Sequence, residues 1–81
     1  MSVVTVRYFA AAAEAVGTSE ETYHAESLGG LRESMAQRHG PAIEPVFARC
    51  AWLVAGERAD DPTLTLADGA SVDLLPPFAG G

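Results

Sequence analysis

One stretch of this 81-residue chain carries apolar residues at helical spacing over two turns and opens a helix-length segment. Leu28, Leu31 and Met35 stand three and four apart and form a single stripe. The apolar runs on either side are short and rich in β-branched and aromatic residues, the composition of strands. One long helix has one face to bury, and a small set of strands has one sheet face to cover. Laying the helix across a single sheet satisfies both, which predicts an α+β roll.

The elements follow from local pattern. Val3 to Phe9 alternates, with Val4, Val6 and Tyr8 on one face and Val3, Thr5, Arg7 and Phe9 on the other. Ala10 to Val16 is alanine-rich and reads as a short helix stopped by Gly17. Glu20 to Glu26 is a more polar strand, with Tyr23 and Ala25 inward and Glu20 and Glu21 at a solvent-exposed start. Ser27 caps a helix from Leu28 to about His39, which Gly40-Pro41 ends. Pro41 to Val46 reads as a connection and Ala51 to Ala55 as a buried strand. Gly56-Glu57 reads as a turn, and Leu64 and Leu66 as core pins under a loop. Asp68-Gly69 turns the chain into a last strand, Ser71 to Leu75.

The composition narrows the partners. Eleven acids face five arginines and no lysine, a net charge of −6. Nucleic-acid affinity rests largely on Lys and Arg neutralising phosphate, so no nucleic-acid partner is expected. An acidic surface suits docking to basic partners. No apolar run approaches the roughly 20 residues that span a bilayer, so no membrane role is expected. Met1-Ser2-Val3-Val4 runs straight into strand-like sequence without a leader, and a lone cysteine suits a reducing cytoplasm.

After the last strand come Pro76, Pro77, Phe78, Ala79, Gly80 and Gly81. Two prolines and two glycines cannot extend the sheet, so residues 1–75 read as the folded domain and 76–81 as an extended, flexible tail. Glycines lack Cβ and make the thinnest possible chain end. That suits a terminal carboxylate threaded through a narrow channel into another protein's active site, where Gly81 itself reacts. Six residues at roughly 3.3 Å each reach about 20 Å. Pro76 and Pro77 fix φ and lower the entropy lost on insertion. Phe78 suits an anchor in a partner pocket, and Phe9 and Leu75 suit an apolar patch beside the tail, facing the partner.

Three stretches resemble the MoaD/ThiS family of sulfur carriers, whose fold is the ubiquitin-like β-grasp. They are Val6-Arg7-Tyr8-Phe9-Ala10 with Glu14-Ala15-Val16-Gly17, then Leu66 to Val72, then Leu75-Pro76-Pro77-Phe78-Ala79-Gly80-Gly81. The last is similar to molybdopterin synthase small subunits. The resemblance implies a thiocarboxylate on Gly81, formed after an E1-like partner spends ATP to adenylate the carboxylate and a persulfide donor supplies sulfur. It further implies delivery to the large molybdopterin synthase subunit in a heterotetramer, for molybdenum cofactor biosynthesis. Relatives serving thiazole or cysteine synthesis, and ubiquitin-like modifiers, share the fold and the Gly-Gly end. The chain departs from many family members at Ala13, where they carry Arg before the glutamate of the first helix.

The chemistry requires no base, bound cofactor or metal on this chain. A carboxylate is a poor electrophile, and adenylation creates a leaving group that a sulfur nucleophile displaces. Cys50, beside Ala51-Trp52-Leu53, reads as a packing residue. His24 and His39 have no neighbour at metal-ligand spacing, and Asp60-Asp61 reads as a solvated loop pair.

Overall fold

The computed structural model describes residues 2–77. β1 (Val3–Tyr8) pairs antiparallel with β2 (Glu20–His24) on one side and parallel with β5 (Ser71–Leu75) on the other. β3 (Ala51–Val54) runs antiparallel to β5, and the two-residue β4 (Glu57–Arg58) closes that edge, giving the order β2-β1-β5-β3-β4. The parallel β1–β5 pair sits at the centre, and α2 (Leu28–His39) makes the crossover onto one face. This is an α+β roll, as the pattern of elements predicts, in the β-grasp arrangement that the resemblance implies.

The period-2 pattern holds. Val4, Val6 and Tyr8 from β1, Tyr23 from β2, and Val72 and Leu74 from β5 are all buried on the helix side. Leu28, Leu31 and Met35 of α2 meet them and are at most 1% exposed. Each such side chain contributes roughly 1.5–3 kcal/mol of transfer free energy. Ser27 starts α2 as expected, in extended conformation, its Oγ accepting from the Gly30 N–H at 3.1 Å. Replacing Ser27 by Ala is expected to cost about 1 kcal/mol. Chemical denaturation checks this as a lower midpoint at unchanged slope.

Four expectations are corrected. Pro41 to Val46 is no plain connection: a 3-10 turn (Pro41–Ile43) leads into a helix, α3 (Glu44–Arg49). Both prolines fall in first turns, where the missing N–H has no intrahelical partner to lose. Ile43 and Phe47, one turn apart, are buried, and Phe47 stacks on Tyr8 at 6.4 Å and meets Trp52 edge-on at 5.7 Å. The turn after β3 is Ala55-Gly56, both at positive φ, so Glu57 belongs to β4. That pair of positive φ values is what a two-residue hairpin requires. Leu66 is buried as expected, but Leu64 is 37% exposed. Its place is taken by the backbone, whose carbonyl accepts from Leu28 N.

The fourth correction is Glu21. It lies on the core face of β2, opposite Val6, and is 9% exposed. Its Oε1 accepts from the Tyr8 hydroxyl at 2.6 Å and the Tyr23 hydroxyl at 2.8 Å, with His39 Nε2 at 2.8 Å. A carboxylate only accepts, so Nε2 carries the proton in that contact. Arg38 Nε stands 3.4 Å from Oε2 and its guanidinium covers the Tyr23 ring. One buried anion thus fastens β1, β2 and the end of α2.

Candidate functional site

β5 runs between β1 and β3, so the chain leaves the body from the middle of the sheet and not from a frayed edge. Leu74 is fully buried and its carbonyl accepts from the Phe9 N–H at 3.2 Å. Pro76 is buried against the body, and Pro77 is exposed. Phe78, Ala79, Gly80 and Gly81, which carry the expected chemistry, lie outside the described residues.

The sheet face away from α2 surrounds this exit. Asp73 of β5 stands between Arg7 of β1 and Leu53 of β3 in the register, and Leu75 stands opposite Ala51. Arg7 grips Asp73 with Nε to Oδ1 at 2.9 Å and Nη2 to Oδ2 at 3.4 Å. The hydrogen bond and charge of Asp73 hold the guanidinium pKa above its ordinary value. The same guanidinium lies 5.9 Å from the Phe9 ring centroid. Phe9 is 38% exposed and Leu75 half-buried, so the two residues expected to face a partner lie at the same end of adjacent strands, where the tail begins. Ala10 follows Phe9 at φ 49° and ψ −123°, a positive-φ conformation unusual for a residue with Cβ, and turns the chain into α1 (Ala11–Val16).

The remaining nucleophile and ligand candidates do not assemble. The Cys50 thiol donates to the Val46 carbonyl at 3.2 Å, and burial pushes its pKa up, which leaves it a poor nucleophile. Among the described residues no group of three His, Cys, Asp or Glu side chains is placed to hold a metal ion. No described helix is long and apolar enough to cross a membrane. Asp61 is spent within its loop, accepting from the Thr63 hydroxyl and N–H, which lower its pKa. What the described residues offer, then, is a platform with a mixed apolar and charged face where the chain leaves β5.

The five-strand mixed sheet with α2 packed on it defines the class, a ubiquitin-like β-grasp protein. The chain belongs to the ThiS family, whose model matches residues 6–81. Among solved structures it is similar to SAMP1 from Haloferax volcanii, at 23% identity and a TM-score of 0.83, covering 99% of this chain and 100% of that one. The small archaeal modifier protein 1 of Methanosarcina acetivorans gives 24%, 0.83, 100% and 98%. Subunits 1 and 2 of the molybdopterin-converting factor from Helicobacter pylori, solved as a complex, supply a chain with 26% identity and a TM-score of 0.74, covering 98% of this chain and 99% of that one. No curated protein matches the sequence.

Proposed function

We propose that this chain is the sulfur-carrying small subunit of a molybdopterin synthase, with Gly81 as the atom-bearing end. The observation that carries the reading is the family match running to Gly81 itself, through the whole Pro-Pro-Phe-Ala-Gly-Gly arm. The large-subunit partner is supported by the Helicobacter pylori neighbour, which was solved as a complex of the two subunits. In this reading an adenylating E1-like enzyme joins the Gly81 carboxylate to AMP, releasing pyrophosphate from ATP. The terminal sulfur of a donor persulfide then attacks the carbonyl carbon and AMP leaves, giving an acyl disulfide; a second thiol attacks the donor's sulfur, forms a disulfide with it and so breaks the S–S bond to the carrier. The thiocarboxylate that results is softer and more nucleophilic than the acid. Phe9 and Leu75 contact the large subunit while Pro76, Pro77, Phe78, Ala79 and Gly80 insert into its active site. The work is set in the cytoplasm, where the donor thiols stay reduced.

Intact-mass measurement of the chain isolated with its native partners tests the proposal. The expected result is replacement of one oxygen by one sulfur, located in the C-terminal peptide, with a large synthase subunit co-purifying. Covalent adducts from Gly81 to lysines of other proteins would move the chain to the modifiers. Recovery with a thiazole- or cysteine-forming enzyme would keep the chemistry and change the pathway.

A further inference from the structure

The two edges of the sheet differ. β4 holds only Glu57 and Arg58, whereas β2 presents five residues with no proline, glycine or lysine among them. β1 occupies the inner side of β2. At one end the Tyr8 N–H donates to the Ser19 carbonyl at 2.9 Å, and at the other the Ala25 N–H donates to the Ser2 carbonyl at 3.0 Å. Backbone groups alternate along an antiparallel ladder, so Glu21 and Tyr23 also bond inward while Glu20, Thr22 and His24 turn theirs outward. Among the described residues no strand pairs with that outer side. Thr18 Oγ1 alone stands near it, 3.3 Å from the Glu20 carbonyl and 3.5 Å from the Glu20 nitrogen.

The side chains of Glu20, Thr22 and His24 are exposed, on the sheet face away from α2. A row of alternating charge crosses that face. Asp73 of β5 stands opposite Arg7 of β1, and Arg7 stands opposite Glu20. Arg7 is bonded to Asp73 at 2.9 Å, so the row reaches the edge on an anion. His24 lies at the other end of the same edge, opposite Val3.

We propose that β2 pairs antiparallel with β2 of a second copy, about a two-fold axis through Thr22, joining two sheets into one. The edge is self-complementary in this register. Thr22 meets the second copy's Thr22, and Glu20 meets the second copy's His24, twice by symmetry. The charge row is thereby completed, because an imidazole N–H donates to a carboxylate in either protonation state. Sliding by two residues keeps the backbone bonding and loses this match. One such register sets Glu20 against Thr22, and the other sets Glu20 against Glu26. On the helix side each copy brings its own balanced pair to the seam, Arg38 over Tyr23 and 3.4 Å from Glu21, with His39 on the same carboxylate.

A net charge of −6 on each chain opposes the approach. At physiological salt the Debye length is about 8 Å, which screens that repulsion more than the contacts at the seam. Five residues a side make a small interface, so the dimer is weak and concentration-dependent. β5 lies beyond β1, so the exit at Leu75 stays uncovered in both copies. Nothing in the pairing rests on sulfur chemistry, so its failure and a failure of the mass measurement are distinguishable.

Sedimentation and nuclear magnetic resonance on the full-length chain test the pairing. Expected is a reversible dimer that grows as concentration rises to about 1 mM. In a mixture of isotope-labelled and unlabelled chain, a nuclear Overhauser contact should join Glu21 Hα to Tyr23 Hα of the second copy. These form the close, non-hydrogen-bonded pair of this register. Thr22→Pro removes an outward N–H at an edge position, where proline is tolerated, and should abolish the dimer with the sheet amide shifts kept. His24→Glu sets like charges at both seam contacts, and so does Glu20→Lys combined with His24→Lys. Each of these two chains alone should self-associate roughly tenfold more weakly than wild type. Mixed in equal parts they should pair with one another, since opposite charges then meet at both contacts. A wild-type chain still monomeric at about 1 mM overturns the proposal. So does a dimer that survives Thr22→Pro, or a mixture that restores nothing. Thr22 and His24 amides protected from exchange only when the native partners are present would also overturn it, because the occupant is then another protein's strand.

Discussion

Glu21→Ala is expected to lower the stability of this domain by about 3 kcal/mol at pH 7, the sum of leaving the buried Tyr8 and Tyr23 hydroxyls without an acceptor at roughly 1–3 kcal/mol each. For a chain of this size that is a fall in Tm of roughly 15 °C, read by calorimetry or circular dichroism. The Arg38 contact adds little to this figure, because its side chain is 53% exposed and the pair is 3.4 Å apart. Glu21→Gln keeps an acceptor oxygen in place and removes the charge, so its cost should be smaller, about 1 kcal/mol. Equal stability of wild type and Glu21→Ala would show that the buried carboxylate is not the fastening point.

The same network sets an acid dependence. Burial alone would raise the Glu21 pKa, but hydrogen bonds from Tyr8, His39 and Tyr23 outweigh it and hold the carboxyl below its ordinary range. The tyrosines move the other way: burial and the Glu21 hydrogen bond push Tyr23 up to about 12, and Tyr8 rises for the same reasons. A carboxyl with a folded pKa below its unfolded value stabilises fully above the unfolded value, about 4.3 for Glu, and the contribution is lost as pH falls through the folded one. The stability gap between wild type and Glu21→Gln should therefore be widest near neutrality and close progressively below about pH 4. A gap that stays constant into acid would contradict the assignment.

What the sequence made legible, and what it hid, follows from how each residue is used. Val4, Val6, Tyr8, Leu28, Leu31 and Met35 were readable because apolar residues at a regular period have one low-energy destination, the core. Glu21 was misplaced because its type outweighed its position. Tyr23 was rightly put inward, and a strand's period of two puts Glu21 on the same face; the fact that an acid there needs donors pointed to Tyr8 and Tyr23. α3 was hidden by Pro41 and Pro45, which break helices in the interior and are harmless in a first turn. Its signal was Ile43 and Phe47 one turn apart. β4 has two residues and no core-facing side chain, so no period could reveal it. Phe9 was readable as facing away from the core by alternation alone.

The second large effect falls on chemistry and not on the fold. Gly81→Ala is expected to reduce sulfur transfer about 100-fold, the order of loss that a misplacement of one ångström inflicts on a reacting centre. A methyl group on the terminal Cα widens the chain at the point where the channel has to be narrowest, and it stands beside the carbon that both adenylate and sulfur must reach. The Tm should stay within the range of a surface change, about 0.5 kcal/mol in stability. The reason is positional: the last strand ends at Leu75, and of the described residues after it only Pro76 is buried. Single-turnover assays with the activating enzyme and the synthase partner, run beside thermal melts, separate the two readouts. Full activity in Gly81→Ala would remove the final carbonyl from the mechanism, and a collapse in Tm would place Gly81 inside the fold. Loss of transfer at constant Tm is the result that ties the function to the arm.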